Sequence, residues 1–242
     1  MANLLERFMA DHKVARSLAN AALLRGVPEA IRQDIEGRCR WAFHAEGSFL
    51  LAEEDESRDL AFLCHGRARI IQYTASGRAI AHAEIGPGSH FGELAAIDNQ
   101  PRSASVLAVT DVVAASLTQP VMMELVKRSP DFAVALMRSL TGMIRGTNAR
   151  LRNMSSLSAR QRVAVELERL ARSLRTGGSR RVTLIPAPTA SEIAHRAATT
   201  RETVARTLGE LRRLGVVSTR RGSLDVDLEG LEDAMEGLGA PN

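Results

Sequence analysis

The chain has 242 residues, which points to two domains rather than one small one. Apolar residues make up 45% and aromatics only 3%, so an aliphatic core is available. No run of eighteen uncharged apolar residues occurs, which excludes a membrane-spanning helix. The net charge of +4 is uneven: residues 159–221 carry 14 Arg against 5 acids, a net of +9, while residues 222–242 carry 6 acids and no base.

Only Lys13 and Lys127 are lysines; every other base is Arg. The basic block is either the electrostatic footprint of a nucleic-acid-binding segment or a solvated arginine-rich surface, and charge alone does not separate the two. The first residues, Met1 to Arg7, lack an apolar stretch with a cleavage site. Cys39 and Cys64 are too few for a disulfide framework or a four-thiolate metal site. A soluble, cytoplasmic protein without a bound metal is expected.

Residues 1–36 read as helical, with Leu4, Leu5, Phe8 and Met9 on one face and a break at Gly26-Val27-Pro28. From Trp41 short apolar runs alternate with turn signals, among them His65-Gly66, Ala75-Ser76-Gly77 and Gly86-Pro87-Gly88. Strands are predicted at Ser48–Ala52, Asp59–Cys64, Ala68–Tyr73, Ala79–Ile85, Ser103–Val109 and Val112–Leu117, the pattern of a β-barrel or sandwich.

Within this region lies His90-Phe-Gly-Glu-Leu-Ala, followed by Arg102-Ser-Ala. Gly92 lets a backbone approach a ligand closely and opens a short helix whose free N–H groups, including that of Leu94, suit an anion. Arg102 offers a fork for a phosphate, Ser103 a hydroxyl, and Glu93 an acceptor for a sugar hydroxyl. These are the parts of a nucleotide pocket. On composition alone an ordinary surface turn is the better reading.

From about Pro120 the period becomes helical. Ala133, Met137, Leu140, Ile144, Thr147, Leu151 and Met154 form a three-heptad seam. It is either an amphipathic helix on its own domain or, as we favour, a dimer helix. Thr147 is costly in an apolar seam unless its hydroxyl finds a partner. A second helix is predicted at about Ala159–Arg175, after the serine cluster Ser155, Ser156 and Ser158 that marks a domain boundary. A turn at Thr176-Gly177-Gly178-Ser179 and a strand over 182–185 follow.

Thr189-Ala-Ser-Glu192 and Thr199-Thr-Arg-Glu202 both read as capping boxes, opening helices at about 190–197 and 200–213 with helix-turn-helix spacing. Ile193, Ala194 and Ala197 are expected to pack against Val204, Leu208 and Leu211. The second helix exposes Thr200, Arg201, Glu202, Thr203 and Arg206. Arg matches the acceptors of guanine and Glu the amino group of cytosine, so this end of the helix suits a major groove. Val216–Thr219 and Leu224–Val226 form a predicted hairpin wing, with Arg220 and Arg221 at its tip for phosphates. A plain helical hairpin with charged faces is the alternative. We favour DNA, because caps, spacing, wing and charge agree.

The Phe91-Gly-Glu-Leu-Ala segment with Arg102-Ser-Ala resembles the phosphate-binding cassette of the cyclic-nucleotide-binding β-roll. Nearly the whole chain resembles the cyclic-AMP receptor protein / fumarate-nitrate regulator superfamily of bacterial transcription factors, in its catabolite-activator branch. The resemblance implies an α+β fold in three parts: a β-roll with N-terminal helices over 1–119, a dimerisation helix over 120–158, and a winged helix-turn-helix with an acidic tail over 159–242. It implies an allosteric homodimer with a cyclic nucleotide as effector, cyclic AMP being favoured over cyclic GMP; no Ser/His/Asp or paired-carboxylate constellation stands out, so an enzyme is not expected. Double-stranded DNA and RNA polymerase are the implied partners.

By resemblance Glu93 binds the ribose 2′-hydroxyl, Arg102 and Ser103 bind the cyclic phosphate, and the amides at Gly92, Glu93 and Leu94 assist. Thr147 and Asn148 match the pair on the dimer helix that meets the purine. Arg201, Glu202 and Arg206 match the base-reading residues of a TGTGA-type half-site, and Thr189 stands at the edge of that surface. The usual purine pair is Thr-Ser, so Asn148 leaves cyclic GMP, or both nucleotides, open. Ala198 stands where a turn Gly is common, and Ala190 where an Arg often contacts phosphate. Relatives that use haem, that need no ligand, or that regulate a partner without DNA are the remaining alternatives. His82 and His90 are read as structural rather than as haem ligands, Cys39 and Cys64 as buried thiols, and Trp41 and Phe91 as core.

Overall fold

A computed structural model of the chain describes residues 4–73, 79–175 and 177–238. The expected turn at Ala75-Ser76-Gly77, Thr176, the side chain of His82 and the last four residues of the acidic tail lie outside the described residues. The chain forms two compact units, the first ending at Ile144 and the second beginning at Arg145.

The first unit opens with α1 (Leu4–His12), a 3-10 turn at Ala22–Leu24 and α2 (Glu29–Arg38). Among the described residues eight strands follow: β1 (Arg40–His44), β2 (Phe49–Leu51), β3 (Leu60–His65), β4 (Ala68–Tyr73), β5 (Ala79–Ile85), β6 (His90–Phe91), β7 (Ser105–Ala108) and β8 (Val112–Leu117), with α3 (Glu93–Asp98) between β6 and β7. They make two antiparallel sheets, ordered β1-β8-β3-β6 and β2-β7-β4-β5.

β3 is buried on both faces. Ala61 and Leu63 point between the sheets, where they meet Ala68, Val106, Ala108 and Phe91. Leu60 and Phe62 point the other way, onto Leu18, Leu23, Met122, Phe132 and Leu136. The two-residue alternation of a strand thus divides one apolar run between two cores.

The strands at Ala68–Tyr73, Ala79–Ile85 and Val112–Leu117 lie where the sequence predicts them. The first residues of the expected Ser103–Val109 strand are not strand. The backbone of Arg102 pairs instead with the loop before β3, its N–H donating to Asp55 O at 3.1 Å and its carbonyl accepting from Glu54 N–H at 2.9 Å. β1 and β6 were not expected; β6 has two residues, too few to show a period.

The helical run expected from Pro120 is two helices, α4 (Gln119–Arg128) and α5 (Pro130–Ser156). Pro130 disfavours a helical conformation at Ser129, which instead caps α5: its Oγ accepts from Phe132 N–H at 3.3 Å.

The second unit contains α6 (Ala159–Leu174), β9 (Arg181–Leu184), α7 (Ala190–Arg196), α8 (Arg201–Arg213), β10 (Val217–Arg220), β11 (Ser223–Asp227) and α9 (Leu228–Gly237). Its strands form one antiparallel sheet ordered β10-β11-β9. Ile193, Ala194 and Ala197 share a core with Val204, Leu208 and Leu211 as expected, and that core is wholly aliphatic. A capping box the sequence reading overlooked opens α6. Ser158 Oγ accepts from Gln161 N–H at 3.2 Å, while Gln161 Oε1 accepts from Ser158 N–H at 2.9 Å.

Candidate functional site

β6 delivers the chain to Gly92, which sits at φ +84° and starts α3. Its carbonyl accepts from Nη1 of Arg102 at 2.8 Å, the Asp59 carbonyl accepts from Nη2 at 2.8 Å, and Ser57 Oγ accepts from Nε at 3.0 Å. A Cβ at position 92 would stand 2.5 Å from Nη1 and 2.8 Å from Asp59 O. Glycine is therefore required twice over, by the backbone angle and by the space the guanidinium occupies.

Arg102 is only 3% exposed. Burial pulls its pKa down, opposed chiefly by the negative charges of Asp59 and Asp55. Among the described residues three of its five N–H donors are spent on the protein, which leaves two. Nearby, Nε of Arg58 is buried without a hydrogen-bond partner among the described residues. Nη1 of Arg58 donates to Ser57 O at 3.0 Å. Unspent guanidinium N–H groups in a buried cradle are what an anionic ligand would satisfy.

Glu93 is also buried, and burial raises its carboxyl pKa, opposed by its own backbone N–H and the charge of Arg102. The structure thus brings Gly92, Glu93 and Arg102 together. Ser103 is exposed beside them, and Leu94 is 40% exposed. Ser57 and the Asp59 carbonyl were missed in the sequence; a backbone acceptor carries no side-chain signal.

Much of the seam expected along α5 is open to solvent: Met137, Ile144, Leu151 and Met154 are each 57–62% exposed, while Ala133 and Leu140 are half-buried. Thr147 and Asn148 are exposed on the same helix and make no side-chain hydrogen bond among the described residues. Among the described residues no group of three His, Cys, Asp or Glu side chains is placed to hold a metal, and no helix is long and apolar enough to cross a membrane. Cys39 and Cys64 are half-buried, and burial pushes both thiols up to about 12. Phe91 is core as expected, whereas Trp41 is half-buried at its edge.

In the second unit Thr189 and Glu192 form the predicted capping box, with Thr189 Oγ1 accepting from Glu192 N–H at 3.2 Å and Glu192 Oε2 accepting from Thr189 N–H at 2.6 Å. The box expected at Thr199–Glu202 does not form. Ala198 takes φ +47° and Thr199 N–H closes the turn on Ala194 O at 2.9 Å, so the helix starts one residue later. Thr200 is the cap, its Oγ1 accepting from Thr203 N–H at 3.2 Å. Glu202 then lies in the first turn. Its own N–H, the Thr200 hydroxyl and Arg201 hold its carboxyl below the usual carboxylate range.

Val204, Thr207, Leu208 and Leu211 turn inward, leaving Arg201, Glu202 and Arg206 exposed. Arg201, Arg206 and Arg221 have no hydrogen bond or salt bridge among the described residues. Arg220 is tied, its Nε 3.6 Å from Asp225, whose carboxylate also accepts from Thr183 at 2.7 Å and Ser218 at 3.2 Å. The end of α8 is joined to the wing by Arg212, which donates from Nε and Nη2 to Thr219 Oγ1 at 3.2 and 3.0 Å.

Arg162 on α6, another residue missed in the sequence, donates from Nε to Ala197 O at 2.8 Å and from Nη2 to Ala198 O at 2.9 Å. The acidic tail is the helix α9. Leu228, Leu231 and Leu238 are buried in the aliphatic core, and Asp227 pairs with Arg180 at 2.9 Å while accepting from Gly230 N–H at 3.2 Å.

A β-roll with a buried arginine cradle and a winged helix-turn-helix with free arginines define the class: a ligand-sensing, DNA-binding regulator. Residues 43–129 match the cyclic nucleotide-binding domain family and residues 161–234 the Crp-like helix-turn-helix domain family. The chain is 31% identical over 196 residues to the Cyclic AMP receptor protein of Thermus thermophilus, covering 81% of this chain and 88% of that protein. It is 28% identical over 200 residues to the CRP-like cAMP-activated global transcriptional regulator of Mycobacterium tuberculosis, covering 82% and 88%. The crystal structure of Thermus thermophilus Catabolite Activator Protein superposes with a TM-score of 0.53 at 28% identity, over 90% of this chain and 100% of that one. The chain belongs to the Crp family of cyclic-nucleotide-binding transcription regulators. These are regulators rather than enzymes.

Proposed function

We propose that the protein is a homodimer that takes cyclic AMP as effector and, so loaded, binds palindromic promoter DNA with TGTGA-like half-sites. The observation that carries this reading is the Arg102 cradle. A buried guanidinium fixed by three protein acceptors still holds two N–H donors, beside the buried carboxyl of Glu93. Arg102 and Ser103 take the cyclic phosphate, with help from the amides at Gly92, Glu93 and Leu94. Glu93 takes the ribose hydroxyl. The names of both relatives favour cyclic AMP.

The exposed stripe of Met137, Ile144, Leu151 and Met154 supports a second copy packed along α5, since a helix seldom leaves such a stripe in water. In that arrangement Thr147 and Asn148 meet the purine from the two copies, which gives polar side chains in the seam a partner. The limits 1–119, 120–158 and 159–242 are our division of labour among sensing, dimerisation and DNA binding.

Arg201, Glu202 and Arg206 read bases, while Thr189, Thr200, Thr203, Arg220 and Arg221 hold the backbone. The nucleotide acts by binding better to the state in which the two recognition helices stand about 34 Å apart, one turn of DNA. RNA polymerase is the partner at the promoter, and the protein works in the cytoplasm. The test is calorimetric titration with cyclic AMP and with cyclic GMP, followed by DNA binding with each. Tighter binding and a larger DNA response with cyclic AMP support the reading. A preference for cyclic GMP would favour a second reading, motivated by the Asn148 amide, which can face either purine edge.

A further inference from the structure

Within the first unit a polar contact joins the cassette strand to the long helix. Nε2 of His90, two residues before Gly92, lies 3.1 Å from Oγ of Ser139 on α5. β6 is held by its pairing with β3, Phe62 opposite His90 and Ala61 opposite Phe91. α5 is anchored by Phe132 and Leu136, and no described residue of α5 beyond Leu136 is buried. The contact therefore stands where the anchored part of the helix ends and its exposed part begins.

Three other hydroxyls on α5 behave differently. Those of Thr141, Ser155 and Ser156 fold back onto the carbonyls four residues earlier, at 2.8, 3.1 and 2.8 Å. That is the local default for a hydroxyl in mid-helix. Ser139 departs from it and reaches another element. Its fallback, the carbonyl of Ala135, stays available, so the hydroxyl has two discrete arrangements: tied to the cassette strand or returned to its own helix.

We propose that the His90–Ser139 bond is the tie through which occupancy of the cassette reaches the long helix, with both side chains acting as positioning residues. This rests on the cyclic-nucleotide reading above. A phosphate drawn to the amides at Gly92 and Glu93 acts on the strand end that carries His90, and the ring passes that displacement to α5 one helical turn beyond Leu136. Burial holds the imidazole neutral, its pKa lowered to about 4. The ring thus keeps one N–H and one acceptor at neutral pH, and the bond does not depend on a charge.

The test uses the full-length protein with S139A, S139T and H90F, since phenylalanine keeps the ring shape but offers no hydrogen-bonding nitrogen. Cyclic AMP and cyclic GMP affinities are measured by calorimetry, and affinity for a palindrome of two TGTGA-like half-sites is measured with and without saturating nucleotide. The readout is the ratio of the two DNA affinities. S139A and H90F are expected to keep nucleotide affinity within about twofold, yet change that ratio by about fivefold or more. S139T keeps the hydroxyl and is expected to restore the wild-type ratio. The S139A/H90F double variant should match either single variant, since each removes the same bond. A wild-type ratio in S139A, or effects of the two substitutions that add, overturns the tie alone. A wild-type protein whose DNA affinity ignores both nucleotides overturns the functional reading and the tie with it.

Discussion

Nη2 of Arg162 lies 2.9 Å from the carbonyl oxygen of Ala198, the residue that carries φ +47° in the turn between α7 and α8. The left-handed angle crowds the Cβ of Ala198, and the guanidinium holds the carbonyls of both Ala197 and Ala198 from the α6 side. Position and strain are thus set by residues 36 apart in sequence. Ala198→Gly is expected to stabilise the second unit by about 1 kcal/mol, since Gly adopts the angle without penalty. Arg162→Ala is expected to destabilise it by about 2 kcal/mol through the loss of charge-assisted bonds. Thermal unfolding of the two variants checks both signs.

Gly92→Ala places a methyl carbon against Nη1 of Arg102 and Asp59 O. The guanidinium must leave its cradle, so cyclic-nucleotide affinity is expected to fall at least about tenfold, or ~1.4 kcal/mol. Arg102→Lys keeps a charge but cannot span three acceptors, and is expected to behave like Arg102→Ala. Calorimetry on these variants decides the matter. Unchanged affinity in Arg102→Ala would remove the cassette from the phosphate.

Arg201 and Arg221 both lack a salt bridge among the described residues, yet different losses are expected from them. Arg201→Ala should relax preference at one base pair by about 1–3 kcal/mol. Arg221→Ala, at the wing tip, should weaken all sequences alike and reduce the salt slope by about one unit. Binding to a panel of singly mutated half-sites at several salt concentrations separates the two behaviours.

His90 gives the first unit a pH dependence of definite sign. Its folded pKa, about 4, lies below the ordinary histidine value of 6.5. The unfolded chain binds the extra proton between those values, so stability rises with pH across that window and is lost as pH falls from about 6.5 to 4. His44, also lowered by burial, acts in the same direction. Glu93, raised by burial, acts oppositely just above the ordinary carboxyl value of 4.5. Denaturant midpoints from pH 4 to 7 should climb in the wild type, and climb less in His90→Gln.

What the sequence disclosed follows from what each element needs from its neighbours. α6 and α8 and the strand Val112–Leu117 carry their own periodicity, so they were legible. The Gly92–Arg102 pairing of residue types was legible too, because a recognisable string encodes it. The partners that hold Arg102 in place are the Ser57 hydroxyl and the Asp59 carbonyl, from the loop before β3, and the carbonyl of Gly92, and only folding makes them neighbours. The false start at Thr199 has the same origin. Thr-x-x-Glu is present in the string, but the left-handed turn at Ala198 spends Thr199 on closing the loop and hands the cap to Thr200. The acidic segment looked like a tail because its charges are conspicuous, while Leu228, Leu231 and Leu238, which dock it, are sparse.

The start of α6 and the end of α9 are fastened to each other. Ser158, the cap of α6, donates its hydroxyl to Leu238 O at 3.0 Å, and Gln161 of the same box donates to Met235 O at 3.1 Å. A protein engineer would recognise a cassette with its own clasp. A cut just before Leu157 leaves every bond of that clasp inside the fragment, so this reading head should survive transplantation behind an unrelated sensor.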